Sequence, residues 1–246
     1  MIDLIKAKET FEKYSSKYDL TSEKINRKIK HTYRTSDISN MIAKGINLDE
    51  EDIELATLIG LLHDIGRFEQ CKRYETFSDQ DSLDHGELGV KVLLENNLIR
   101  DFIEETTYDN IIIKAIFNHN KYKMQEGLEG KELLHSKIIR DADKLDDLYL
   151  GTTSVHNYDE NELISDIVFN NFLNNECIVY NSCNTNIDKR LTYLGWIYDI
   201  NFEFSLKYIK EKDYINQIID NMSCENEDTR NKMKIIKKAT EDFLNK

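Results

Sequence analysis

Four of the six histidines in this 246-residue chain border strongly apolar stretches, and at least two aspartates accompany them. The plainest case is Leu61-Leu62-His63-Asp64-Ile65-Gly66. The run from Leu55 to Leu62 is apolar on nearly every side, so it belongs in a core. An imidazole and a carboxylate at the end of a buried helix are costly unless they are paired or bind a metal ion. For the doublet alone, a buried His–Asp hydrogen bond or a capping aspartate explains as much as a cation does. The pattern then repeats. Ile111 to Phe117 leads into Asn118-His119-Asn120, and Ile138-Ile139 leads into Asp141-Ala142-Asp143-Lys144. His31 falls inside a long helical stretch, and His85 near the start of another. Taken singly, His31 or His85 reads as an ordinary polar or satisfied core histidine. Together the four ask for a common explanation. Several helices each delivering one His or Asp to an interior point is how metal sites in bundles are assembled.

The elements that must position these residues are helices. The chain has no proline and only nine glycines, so few obligatory breakers interrupt it. Apolar residues recur at helical spacing at Leu55, Leu58, Ile59 and Leu62, at Leu88, Val92 and Leu93, and at Ile138, Ile139, Ala142 and Leu145. These patterns predict helices near 2–18, 22–44, 48–63, 82–97, 109–120, 131–150, 159–174, 188–210, 213–222 and 226–244. Asn47 with Glu50 and Asp159 with Glu162 fit capping boxes, Asp81 or Ser82 a further helix start, and Asp109 another. Residues 65–81, 127–130 and 175–186 read as loops, and no run is long enough to argue for a sheet. The fold class is all-α. We expect a single helical domain over 1–246, with a core over about 22–150 and a C-terminal extension over about 151–246.

The order His31, His63-Asp64, Asp143 resembles the H…HD…D pattern of the HD superfamily of metal-dependent phosphohydrolases. The segments His63-Asp64-Ile65-Gly66-Arg67, His85-Gly86-Glu87-Leu88-Gly89, Ala115-Ile116-Phe117-Asn118-His119 and Lys137-Ile138-Ile139-Arg140-Asp141-Ala142-Asp143-Lys144 resemble the branch with two further histidines between HD and the last Asp. That branch includes hydrolases of symmetrical dinucleoside polyphosphates and, more distantly, cyclic-nucleotide and cyclic-dinucleotide phosphodiesterases. A GYP motif after the HD is absent, which argues against the cyclic-di-GMP class. The resemblance runs from about His31 to Asp147, roughly half the chain; beyond Gly151 it carries nothing.

The resemblance implies an HD-like bundle and a set of roles. His31, His63, Asp64 and Asp143 would hold one metal ion, and Asp64 would bridge to a second held by His85 and His119. Apolar spacing alone leaves Asp141 a rival to Asp143; the Ala-Asp-Lys resemblance decides for Asp143. One or two divalent transition-metal ions are expected, and mixed imidazole and carboxylate donors do not choose among Fe, Mn, Co, Ni and Zn. The reaction implied is attack of metal-activated hydroxide on a nucleotide or related small phosphate ester or anhydride. Arg67 and Lys144 are placed to neutralise phosphate charge, although each reads equally well as a surface cation or salt-bridge partner. Asp84 or Glu87, flanking His85, could orient it or donate a proton to the leaving group. Tyr74, Phe77 and Tyr122 could stack on a base or simply close a loop over the core. His135 and His156 match no motif position and read as structural.

Composition narrows the alternatives. A net charge of −13, from 46 acidic and 33 basic residues, offers no basic stripe for a nucleic-acid duplex. No apolar run approaches the length of a membrane span, and the mixed charge of residues 1–18 lacks the apolar centre of a secretory signal, so a cytoplasmic protein is expected. The four cysteines form no CxxC pair and read as reduced thiols. The partner expected is a small phosphorylated substrate, with a homodimer as an option for the C-terminal helices. Two other readings stay open. A di-iron oxygenase of this fold would consume oxygen without releasing phosphate. A nucleotide-binding module would bind without turnover, though it would have no need of two metal ions.

Overall fold

The computed structural model describes residues 1–245 and, for Asn96, the backbone alone. Helices dominate, and the chain divides into two compact units, Met1–Asp143 and Lys144–Lys246. The division falls within one long helix, after Asp143. No helix among the described residues is long and apolar enough to cross a membrane.

The first unit contains α1 (Leu4–Ser15), α2 (Glu23–Gly45), α3 (Glu50–Leu62), α4 (Ile65–Tyr74), α5 (His85–Leu94), α6 (Ile99–Phe102), α7 (Asp109–Asn118) and the start of α8 (Gly130–Thr152). Its core gathers Phe11, Leu55, Leu58, Ile59, Leu62, Phe68, Leu93, Phe102, Ile112, Ile116 and Ile139, all within a few per cent of full burial. The apolar positions picked out by helical spacing are all buried. α3 is buried on almost every side; it is the central rod.

Two close helix crossings bring α3 against α2 and α4 against α5. At Gly60 an added Cβ would lie 2.7 Å from the Ser36 Cα, so only glycine lets α3 settle onto α2 at that point. At Gly66 an added Cβ would collide with the backbone of His85 and Gly89, which lets α4 cross α5 in contact.

The second unit holds the rest of α8, α9 (Asp166–Asn174), α10 (Asn186–Gly195), α11 (Glu203–Glu211), α12 (Tyr214–Asp220) and α13 (Glu227–Leu244). Val168, Phe172, Ile187, Leu194, Ile197, Ile209, Ile218 and Ile236 are buried there. Two three-residue strands, β1 (His156–Tyr158) and β2 (Met222–Cys224), pair in parallel, His156 opposite Met222.

Several expectations need correction. Residues 65–74 are helical, not loop. Ile65 and Phe68, three residues apart and fully buried, carry the signal that Gly66 obscures. The loop is therefore shorter, spanning 75–84. α5 begins at His85 with Asp84 as its cap, the Asp84 carboxylate accepting the Glu87 N–H at 2.9 Å. α3 is capped by Asp49, not Asn47, which lies in the left-handed region at φ 60°. No helix starts at Asp159: the Glu162 carboxylate accepts from the Asn186 backbone instead, and the helix opens only at Asp166. The stretch 188–210 is two helices separated by a 3-10 turn at Trp196–Asp199. The strand pair is unforeseen, because three residues are too few to show a period of two.

Candidate metal centre

Each element delivers its side chain for a local reason. His63 and Asp64 are the two residues between the end of α3 and the start of α4, where helical hydrogen bonding lapses and side chains are free to turn inward. The Gly60 crossing brings the end of α3 against α2, which carries His31. The Gly66 crossing brings Asp64 against α5, which opens on His85. His119 follows the last residue of α7. The guanidinium of Arg140 spends the nearby carbonyls, donating to Asn118 at 2.8 Å, His119 at 3.3 Å and Lys121 at 2.6 Å. Arg140 and Asp143 are three residues apart on α8, so they share a face.

The six side chains converge. His31 Nε2 lies 3.2 Å from His63 Nε2, 3.1 Å from Asp143 Oδ1 and 3.4 Å from Asp64 Oδ2. His85 Nε2 lies 2.9 Å from His119 Nε2 and 3.5 Å from Asp64 Oδ1, which His119 Nε2 approaches at 3.8 Å. Asp64 thus turns one oxygen to each imidazole pair. Two groups, His31/His63/Asp64 and Asp64/His85/His119, offer donor atoms close enough together to hold a metal ion.

Donor chemistry tests whether a cation fits. His63 Nδ1 donates to the Gly60 carbonyl at 2.7 Å, His119 Nδ1 to the Ile116 carbonyl at 2.6 Å, and His85 Nδ1 to Asp79 Oδ2 at 2.7 Å. With the proton on Nδ1, each neutral ring presents a bare lone pair at Nε2. The lone pairs of the buried His85/His119 pair face each other 2.9 Å apart beside the Asp64 carboxylate, which is unfavourable unless something positive lies between them. The site fits a divalent cation.

Electrostatics agree. Burial works against ionisation of Asp64, but the Lys28 ammonium beside it holds its carboxyl well below the usual range. Asp143 is likewise held well below that range, the cost of burial being outweighed chiefly by His31, whose Nε2 lies 3.1 Å from its Oδ1. Burial, then the charge of Arg67, brings the His85 pKa down to about 4 despite Asp79.

Residues 29–148 match the family model described as HD domain. This segment is an HD domain. Neither a curated protein nor a solved structure matches the chain. HD domains are generally metal-dependent phosphohydrolases, and residues 29–148 carry such a domain.

The other residues that the HD domain's motifs single out have partners of their own. Arg67 Nη1 donates to Gln70 at 2.8 Å, to Asp79 at 2.9 Å and to the Phe77 carbonyl, while its Nε lies 3.6 Å from Asp64 Oδ1, so it stands between the 75–84 loop and the cluster. Lys144 pairs with Asp199 at 2.8 Å. Glu87, half exposed, accepts from Lys121 at 3.0 Å, and Asp84 from the same ammonium at 2.7 Å. Neither acidic neighbour orients His85; Asp79 does. Phe77 lies beneath the Lys28 ammonium, 5.8 Å from its ring centre. Asp141 is buried, as a core-facing position would be.

Sequence reasoning missed Lys28 and Asp79. Lys28 Nζ donates to Asp64 Oδ2 at 2.6 Å. It stands three residues before His31 on α2, a spacing that could have revealed it. Asp79 sits in an irregular loop, where no periodicity points anywhere.

Proposed function

We propose that the protein is a metal-dependent hydrolase of phosphate esters or anhydrides, acting on a nucleotide or a related small phosphorylated molecule. The observation that carries this reading is the one carboxylate, Asp64, with an imidazole pair at each oxygen and three of the four imidazoles already committed at Nδ1. His31, His63, Asp64 and Asp143 would hold one divalent ion, and Asp64, His85 and His119 a second. Ions so held supply the positive charge that lowers the pKa of a water and offsets the charge of a phosphate.

The chain's own residues do the rest. Asp64, kept ionised by its surroundings, serves both halves because a carboxylate has two oxygens and an imidazole one free nitrogen. Asp143 and Lys28 are the members with open sides, their side chains 24% and 19% exposed against 2% for Asp64. A phosphate therefore approaches past Lys28, whose ammonium complements its charge. Arg67 links the loop it clamps to Asp64, 3.6 Å from its Nε, while Glu87 adjusts charge from the periphery.

The test is phosphate release from a panel of nucleoside mono-, cyclic and dinucleoside polyphosphates, each with Fe, Mn, Co, Ni or Zn. Asp64→Ala is expected to lose at least about a thousandfold in kcat/KM, about 4 kcal/mol of transition-state stabilisation, with helical content by circular dichroism unchanged. Full activity in that variant, or no hydrolysis of any panel member with any metal, would sink the reading.

A further inference from the structure

The four imidazoles are not held alike. His63 and His119 each follow the last turn of a helix, so a helical carbonyl three residues back accepts the Nδ1–H: Gly60 for one, Ile116 for the other. These acceptors belong to rigid backbone and carry no net charge. His85 has the opposite location, opening α5, and no helical carbonyl precedes it. Its Nδ1–H must find an acceptor elsewhere, and the one it meets is a carboxylate from the loop, Asp79 Oδ2 at 2.7 Å.

Asp79 is itself a built position rather than a passing surface contact. Its Oδ1 accepts from Arg67 Nη1 at 2.9 Å and Gln70 Nε2 at 2.8 Å, and its Oδ2 from Asn120 Nδ2 at 3.2 Å. Gln70 is fully buried and also ties down Ser82 and the Leu83 carbonyl. The loop from 75 to 84 is therefore sewn to the aspartate that orients His85. Asn120 comes from the residue after His119, so the same carboxylate also reaches the other imidazole's segment. His63 differs, its Nδ1 hydrogen bond closing on the last turn of α3 at the Gly60 carbonyl.

We propose that Asp79 is a positioning residue that sets divalent-cation affinity on the His85/His119 side of the centre alone, leaving the His31/His63 side unaffected. A carboxylate behind a ligating imidazole fixes the ring's tautomer and orientation and raises the basicity of the far nitrogen, and losing one weakens metal binding by about 10–100-fold. His85 is then oriented by the loop, whereas His63 and His119 are oriented by helix carbonyls. The inference rests on the reading of the cluster as a cation site.

The test titrates metal-free, full-length protein with cobalt(II), following heat and the visible absorption of the bound ion. Wild type is expected to show two binding events. Asp79→Asn keeps the shape and an acceptor oxygen while removing the charge. It should weaken one event by about 10–100-fold and leave the other within about twofold. Asp79→Glu should recover part of the loss, which a merely steric role would not permit. Thermal unfolding of the metal-free variants guards against general loss of structure, and the unaffected event serves as an internal control. Equal weakening of both events, or no weakening of either, overturns the inference. A single wild-type event that ignores Asp79 does the same. Wild type that binds no cobalt overturns the cation reading itself, so the two failures are told apart.

Discussion

Both units of the molecule bury charge, and they use it in opposite ways. In the Lys144–Lys246 unit, Asp188 is fully buried, but each of its oxygens accepts a backbone N–H: Ser165 on one and Asn184 on the other, both at 3.0 Å. Arg190, also buried, donates to the Gly151 carbonyl and lies over the Tyr193 ring at 5.1 Å. Those charges are consumed in holding loops and helix ends. In the Met1–Asp143 unit, His63, His85 and His119 pass their Nδ1–H to backbone or loop and turn Nε2 toward the oxygens of Asp64. The lesson is that buried charge does not mark a site. Lone pairs left unspent at a common point do.

Three substitutions or conditions would sharpen or break that contrast. The largest effect is expected from Lys28→Met. Lys28 is the ammonium beside a fully buried carboxylate, and removing one partner of such a pair costs about 3 kcal/mol. The loss should appear in chelator and largely vanish when a divalent ion takes over the neutralisation. Thermal melts with and without metal check this; equal stability in chelator would show that Asp64 does not depend on Lys28.

Asp188→Ala should come next, at about 2 kcal/mol, because two backbone N–H groups lose a charged acceptor. Here metal must make no difference, and cobalt affinity should match wild type. If the variant altered metal uptake, the contrast between the two units would collapse.

The smallest effect concerns His135, buried in the first unit away from the cluster, with its Nε2 3.1 Å from Asp52 Oδ1. Burial lowers its pKa from 6.5, only partly opposed by Asp52. Burial alone would raise the Asp52 pKa, but Lys131 and His135 outweigh it and the value is lowered. Both shifts have the same sign for stability. A histidine held neutral in the fold stabilises above its unfolded pKa, and this contribution is lost as pH falls below about 6.5. The Asp52 contribution persists to lower pH, disappearing only as the carboxylate is protonated below its ordinary range. His135→Gln should therefore flatten the fall in melting temperature between about pH 7 and pH 5. An unchanged slope would mean that His135 does not report the cost of burying charge in this unit.

The stretches around the ligands are legible in the sequence because strongly apolar helices ending in His or Asp announce a buried polar end. Leu55 to Leu62 and Ile138 to Ala142 face inward as their spacing requires. α4 escapes such a reading because a glycine at its second position looks like a turn, whereas here it serves a helix crossing. The 188–210 segment reads as one helix because its apolar residues keep helical spacing across a break that only packing reveals. Asp79 has no local signature at all: six residues before His85, in an irregular loop, it becomes an orienting group only through folding.

Residue types and their helical spacing dictated an all-α chain and a donor set of imidazoles and carboxylates, since burial and ligand chemistry are properties of side chains in a periodic backbone. They could not say which nitrogen of each ring faces the centre, that Asp64 addresses both pairs, or that Lys28 and Asp79 join them. Those relations link residues far apart in the chain, and they came into being when Gly60 and Gly66 allowed α3 to meet α2 and α4 to meet α5.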